Sequence, residues 1–293
     1  MRLSDYSETS QVATFVTDTA GKLAAIAKGS KRAKSPTGGA LDLLSVYEIV
    51  FSPSRSGGLA TLREAGMKEH FPGLRRSSAH FYAGLYLGEV SSLFAEGSEG
   101  TSEHFDLLVE SLRHLARLEA DEVPYIILFF ESHVLEAAGL EPNLSSCARC
   151  GGDLPKRGAV RISLEDGGLL CGSCDGGVEV RPGSLAALRR VFESTPQSVR
   201  RLKLRADLLA EVSSLLSAAL IYAGERLPRA LKFAKPRAAR SWRRWAPPRE
   251  GEAAQSTERR GESRTGRSGA SAGPRAGKRP RTHKRPARRE DGG

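Results

Sequence analysis

All four cysteines of the 293-residue chain stand in two CxxC pairs, Cys147-Ala148-Arg149-Cys150 and Cys171-Gly172-Ser173-Cys174, with 20 residues between them. That is the spacing of a four-thiolate ribbon. Two intervening residues let both sulfurs of a pair turn towards one ion, and Gly151, Gly152 and Gly172 allow the backbone to approach closely. Residues 159–164 and 168–170 predict a short hairpin turning through Glu165-Asp166-Gly167. Four thiolates complete a tetrahedral shell and leave no position for water or substrate, so the expected cofactor is structural Zn2+ on Cys147, Cys150, Cys171 and Cys174. A redox pair is the alternative, but it wants one such motif opening a helix after a strand. A secreted disulfide framework would spread its cysteines through a small domain.

The rest of the chain divides around this module. Residues 11–17, 22–28, 41–51 and 59–64 read as strands separated by turn signals such as Asp18-Thr19-Ala20-Gly21 and Ser52-Pro53-Ser54-Arg55-Ser56-Gly57-Gly58. Short antiparallel strands at this spacing predict a small barrel over residues 1–75. After Phe71-Pro72-Gly73 the apolar period becomes helical. Helices are expected over 81–94, from Ser102, from Pro124 to Gly139, over 184–193 with Ser184 as cap, and over 206–223. The domain containing them runs from 76 to 234, with the ribbon inserted at 145–178.

Charge matters most at the C-terminal end. Residues 235–293 carry eighteen Lys and Arg against six Asp and Glu, filled with Gly, Pro, Ser and Ala, and are expected to form a disordered basic tail. The remaining 27 basic and 28 acidic residues nearly cancel, so the overall positive charge says little about the folded part. The N-terminus lacks an apolar leader, and no uninterrupted apolar run suggests a membrane span. The expected localisation is cytoplasmic and nucleoid-associated, with no membrane partner.

One basic segment falls inside the barrel region. Ala27-Lys28-Gly29-Ser30-Lys31-Arg32-Ala33-Lys34-Ser35 places four cations directly after a strand, and residues 1–80 hold eleven basic against seven acidic side chains. Cations of this kind bind polynucleotide phosphates without regard to sequence and lose affinity steeply with salt. A solvated basic turn has the same composition.

The succession Leu3-Ser4-Asp5-Tyr6-Ser7-Glu8-Thr9-Ser10, Gly21-Lys22, Ala27-Lys28-Gly29 and Phe71-Pro72-Gly73-Leu74 resembles the RecO family of DNA repair proteins over roughly residues 1–233. The resemblance implies an α+β multidomain protein: an N-terminal OB-type β-barrel, then an α-helical domain with an inserted four-cysteine zinc ribbon. It implies a recombinational repair mediator that binds single- and double-stranded DNA and anneals complementary strands. It further implies engagement of RecR and of the C-terminal tail of single-strand-binding protein, and indirect help in loading RecA on gaps. Carried over residue by residue, the DNA-contacting loop falls on Lys28, Lys31, Arg32 and Lys34, with Lys22, Arg55, Arg75 and Arg76 as nearby candidates. Family members usually have several residues more before the first strand, so one barrel edge is expected to be open. The basic tail is not part of the family pattern; it is expected to add salt-sensitive affinity, and Trp242 and Trp245 either stack on bases or end the fold.

An enzyme is not expected. His80, His104, His114 and His133 sit among apolar helix neighbours and read as structural, and the Gly-rich pieces lack a phosphate-binding GxxxxGK[ST] frame. The competing reading is a zinc-ribbon adaptor whose barrel contacts RNA. Arg113 and Arg117, four apart on one helix, are candidates to face an acidic partner tail.

Overall fold

The computed structural model describes residues 2–32, 34–35, 37, 39, 41–54, 58–95, 101–155 and 160–246. Arg55 and the tail beyond residue 246 lie outside the described residues.

The N-terminal region is a five-stranded sheet: β1 (Arg2–Asp5), β2 (Gln11–Val16), β3 (Lys22–Ala27), β4 (Ser45–Ser52) and β5 (Ala60–His70), in the order β1-β2-β3-β5-β4. Neighbours are antiparallel except β3 and β5, which pair in parallel at Ala25↔Ala60 and Ile26↔Thr61. Its interior is lined by small side chains, Ala13, Ala25, Ala27, Ala60 and Ala65, so the strands coil around a narrow core. The sheet is not a closed barrel. Edge strands β1 and β4 do not pair; they face each other across a seam lined by Leu3, Phe15, Leu43 and Tyr47. The closed barrel is corrected to an open sheet, in keeping with the expected open edge: β1 offers only four residues of ladder.

The motif Phe71-Pro72-Gly73-Leu74 joins the sheet to the helices as a 3-10 turn over Pro72–Arg75. Phe71 and Leu74 are buried, and a Cβ on Gly73 would lie 1.9 Å from the Ala116 carbonyl oxygen, so only glycine fits there. The helical body contains α1 (Ser78–Phe94), α2 (Thr101–Leu115), α3 (Val123–Ala137), α4 (Pro182–Phe192) and α5 (Ala206–Ala223). Its core joins Tyr86, Leu87, Leu112, Ile127 and Phe130 to Val16, Leu44 and Leu74 from the sheet side. Ser184 does not cap α4: Arg181 occupies that position with Pro182 as first residue, which supplies the helical φ without needing an N–H. By length and composition alone α5 would cross a membrane, contrary to the expectation of no such segment. Here Val212, Leu215, Leu216 and Leu220 are buried in the body, and Glu211 pairs with Arg181, as a core helix would have it.

The ribbon forms β6 (Val160–Ser163), β7 (Gly168–Leu170) and β8 (Val178–Val180), ordered β7-β6-β8 and antiparallel throughout. The hairpin is as expected; β8 was not foreseen. The segment beginning at Lys235 also differs from expectation. It continues the folded body through α6 (Leu231–Ala234), α7 (Pro236–Ser241) and a 3-10 turn over Trp242–Arg244. Trp245 is buried, donating from Nε1 to Ser214 Oγ at 3.0 Å, and so ends the fold.

Lys235 shows why this segment stays attached. Its Nζ lies 2.6 and 2.5 Å from the two carboxylate oxygens of Glu131, 2.7 Å from Ser217 Oγ and 2.9 Å from the Ser213 carbonyl. Tyr86 Oη donates to Glu131 Oε1 at 2.5 Å. All three ionisable side chains are buried, and burial lowers the lysine pKa and raises that of the tyrosine well above its ordinary value. A charge removed from water survives only with such complete pairing.

Candidate metal centre and nucleic-acid interface

The four cysteine sulfurs lie within 4.8 Å of one another, with Cys147 Sγ 3.8 Å from Cys174 Sγ and Cys150 Sγ 3.6 Å from Cys171 Sγ. A tetrahedral zinc–thiolate shell at about 2.3 Å per bond separates its sulfurs by about 3.8 Å, so the donor set fits such an ion. The first knuckle is a backbone turn: Gly151 N–H donates to the Cys147 carbonyl, and Cys147 N–H donates to the Gly152 carbonyl. Gly151 has φ +72°, a left-handed conformation that favours glycine.

The electrostatics point the same way. Backbone amides of Cys171 and Cys150 pull the Cys147 thiol down to about 6, while the neighbouring sulfurs of Cys150 and Cys171 push Cys174 up to about 12. Four thiolates this close repel one another, and a bound cation is what lets all of them ionise together.

Two arginines that sequence reasoning missed hold the ribbon in shape. Arg161 on β6 donates to the carbonyls of Cys171 (3.2 Å), Cys174 (2.5 Å) and Gly176 (3.0 Å), gathering the second knuckle. Arg149, between the first two cysteines, forks onto both oxygens of Asp166 at 2.8 Å and reaches the Asp175 carbonyl. The partners of each lie far along the chain, so no local pattern announces them. Arg161→Ala is expected to weaken metal binding by about 10- to 100-fold, the usual effect of removing an outer-shell support. Chelator competition measures it, and unchanged retention would exclude this role.

The basic loop is anchored from beneath. Ser30 is buried and donates to Gln11 Oε1 at 3.1 Å, the same oxygen that accepts from Leu41 N–H; Gly29 N–H donates to Ser10 Oγ. These polar contacts tie down the loop backbone and leave Lys28, Lys31, Arg32 and Lys34 exposed. Lys31 is partly engaged, its Nζ 2.7 Å from Asp5 Oδ1.

The other candidates do not join this group. Lys22 sits at the opposite end of β3, where its N–H donates to the Ala95 carbonyl at the end of α1. Arg75 grips the Asp42 carboxylate at 2.7 Å and the Leu43 carbonyl, holding the approach to β4. Arg76 points its guanidinium nitrogens at His80 Nε2, at 3.3 and 2.8 Å. Arg113, a candidate to face a partner tail, makes a forked ion pair with Glu69 on β5, which holds that carboxyl below the usual range. His80 meets Ser77 Oγ and the Leu118 carbonyl, and burial lowers the pKa of His104.

Comparison with known proteins adds a separate line of support. Residues 1–71 match the family model described as Recombination protein O N terminal, and residues 75–231 match that described as Recombination protein O C terminal. A DNA repair protein RecO from Rhodopirellula baltica is 32% identical over 176 residues, which is 59% of this chain and 64% of that relative's length. One from Desulfatibacillum aliphaticivorans is 30% identical over 244 residues, 80% of this chain and 93% of the relative. A third, from Anaeromyxobacter dehalogenans, is 33% identical over 197 residues, 66% and 76% of the two chains.

Proposed function

This chain belongs to the RecO family of DNA repair and recombination proteins, and on that premise we propose that it binds DNA through the basic loop after β3 and acts as a recombination mediator, not an enzyme. The observation that carries this reading is the arrangement of the loop. Its backbone is held by buried Ser30 and Gln11, while Lys28, Arg32 and Lys34 project into solvent without carboxylate partners among the described residues. A backbone already held at Gly29 and Ser30 has less entropy to lose on meeting phosphates.

In the proposed activity the open OB-type sheet holds single- or double-stranded DNA, complementary strands are annealed, and RecA is loaded on gaps. RecR and the C-terminal tail of single-strand-binding protein are the proposed partners, and the proposed location is the cytoplasm, on the nucleoid. The four cysteines are proposed to hold Zn2+, which would close the ribbon and take no part in chemistry.

The test is single-stranded DNA binding by the full chain in which Lys28, Lys31, Arg32 and Lys34 are all alanine, followed across a salt series. Each lost phosphate contact lowers the log–log salt slope by about 0.7, so the slope should become shallower by about 3 and affinity should fall by about tenfold or more. An unchanged slope would remove the loop from the interface. A preference for RNA over DNA of equal length would favour an RNA adaptor.

A further inference from the structure

A second cluster of cations lies at the other end of β3. Arg2, Lys22, Arg226 and Arg229 line a cleft of about 270 Å³ between the sheet, α1 and the loop after α5. Several arginines elsewhere are neutralised by carboxylates, among them Arg75 by Asp42, Arg149 by Asp166 and Arg181 by Glu211. Arg2, Arg226 and Arg229 are exposed and have no ion pair among the described residues. Among the described residues the carboxylate lining the cleft is that of Glu89, which accepts the Ala230 N–H at 2.8 Å. Like charges converging in a concavity repel unless an anion sits among them.

The cleft is built, not incidental. Lys22 N–H on the Ala95 carbonyl pins β3 to the end of α1, and Glu89 of the same helix pins the 226–229 loop. Both walls are therefore referenced to α1. Sheet register then connects this cleft to the basic loop. Arg2 is opposite Thr14 and Thr14 is opposite Ala24, so all three share a face. Side chains alternate along a strand, which puts Lys22, Ala24 and Ile26 on that face and aims the next position, Lys28, the same way. The face between the two clusters is floored by small or apolar side chains and is about 20 Å long, six residues at roughly 3.3 Å each.

We propose that this cleft is the far end of the polynucleotide track: the strand leaves the basic loop, crosses the outer face of β2 and β3, and places its phosphates among Arg2, Lys22, Arg226 and Arg229. The proposal rests on the DNA-binding reading of the loop and extends it to the helical body. Binding across both ends would hold the sheet and the helical body on one stretch of backbone.

The experiment compares three forms of the full chain: wild type, Arg226→Ala/Arg229→Ala, and the four-alanine loop variant, on an oligothymidylate about 16 nucleotides long, the upper end of an OB-type site. Unchanged thermal melting controls for folding of the double variant, and Arg226→Lys/Arg229→Lys keeps the charge should alanine disturb the loop. The expected result is a salt slope shallower by about 1.4 in the alanine pair, two contacts at roughly 0.7 each, with several-fold weaker binding and recovery of the slope in the lysine pair. Weaker binding in the loop variant with wild-type binding in the alanine pair overturns the proposal and leaves the loop reading standing. Wild-type binding in both overturns the loop reading as well. Weak binding only in the alanine pair overturns the continuous track.

Discussion

Replacing Glu131 by alanine lowers the unfolding free energy by about 3–5 kcal/mol, because the substitution strands a buried ammonium and does not merely delete a contact. Lys235 Nζ keeps only Ser217 Oγ and the Ser213 carbonyl, and the Tyr86 hydroxyl loses its acceptor. Against a typical total of about 5–15 kcal/mol that is a large fraction. The cheapest relief is for Lys235 to leave the interior, which releases the segment it leads. The chain has two tryptophans, Trp242 and Trp245, both on that segment, so intrinsic tryptophan fluorescence reports on it alone. Glu131→Ala should red-shift the emission as Trp245 leaves Ser214 for water. The paired substitution Glu131→Leu/Lys235→Met should recover most of the loss, since an apolar pair of similar volume needs no desolvated charge. Denaturant unfolding measures both; a single variant as stable as wild type would show that the ion pair carries no net stabilisation.

That network also shows what sequence can and cannot disclose. Lys235 opens a stretch dominated by basic residues, and on composition it belongs with a solvated tail. Its partner Glu131 sits in a run of apolar residues in α3, where a carboxylate reads as an anomaly without an address. Each becomes intelligible only when α7 returns against α3 and α5. By contrast the cysteine module was legible because its constraint is local: two residues between ligands, and a hairpin short enough to turn through Glu165-Asp166-Gly167. Strand β3 and helix α5 were legible for the same reason, with period and turn residues agreeing. The open edge of the sheet was legible only through the family resemblance, because closure depends on whether two edges distant in sequence are long enough to meet. The destinations of Arg113 and Arg161 were hidden too, since a guanidinium can reach any carboxylate or carbonyl that folding brings near it.

Stripping the proposed ion from the four-cysteine site, by chelator or by Cys147→Ser, is expected to unfold the ribbon as a unit. Metal binding at such a site contributes on the order of 10 kcal/mol, and four nearby thiols without an ion cannot all remain ionised. The consequences extend beyond the knuckles, because Ile162, Leu169 and Val180 belong to the main core and Ile162 lines a groove with Leu188, Leu215 and Leu216. Exposing three such side chains forfeits roughly 1.5–3 kcal/mol each, so the helical body should melt at lower temperature and aggregate through the uncovered faces of α4 and α5. The sheet should feel little of this. Its loop is held by hydrogen bonds of Gln11, Ser30 and Ser10 to partners within residues 10–41, and its interior is a separate core rich in alanine. Amide hydrogen exchange on the stripped chain should therefore show protection lost across residues 160–180 and kept across 11–27, with strand affinity through the loop changed by no more than about twofold at temperatures below the new melting point. Continued protection of the ribbon amides after complete metal removal would mean that Arg161, Arg149 and the apolar contacts hold the module unaided, and the ion would then have to be assigned some purpose other than structural closure.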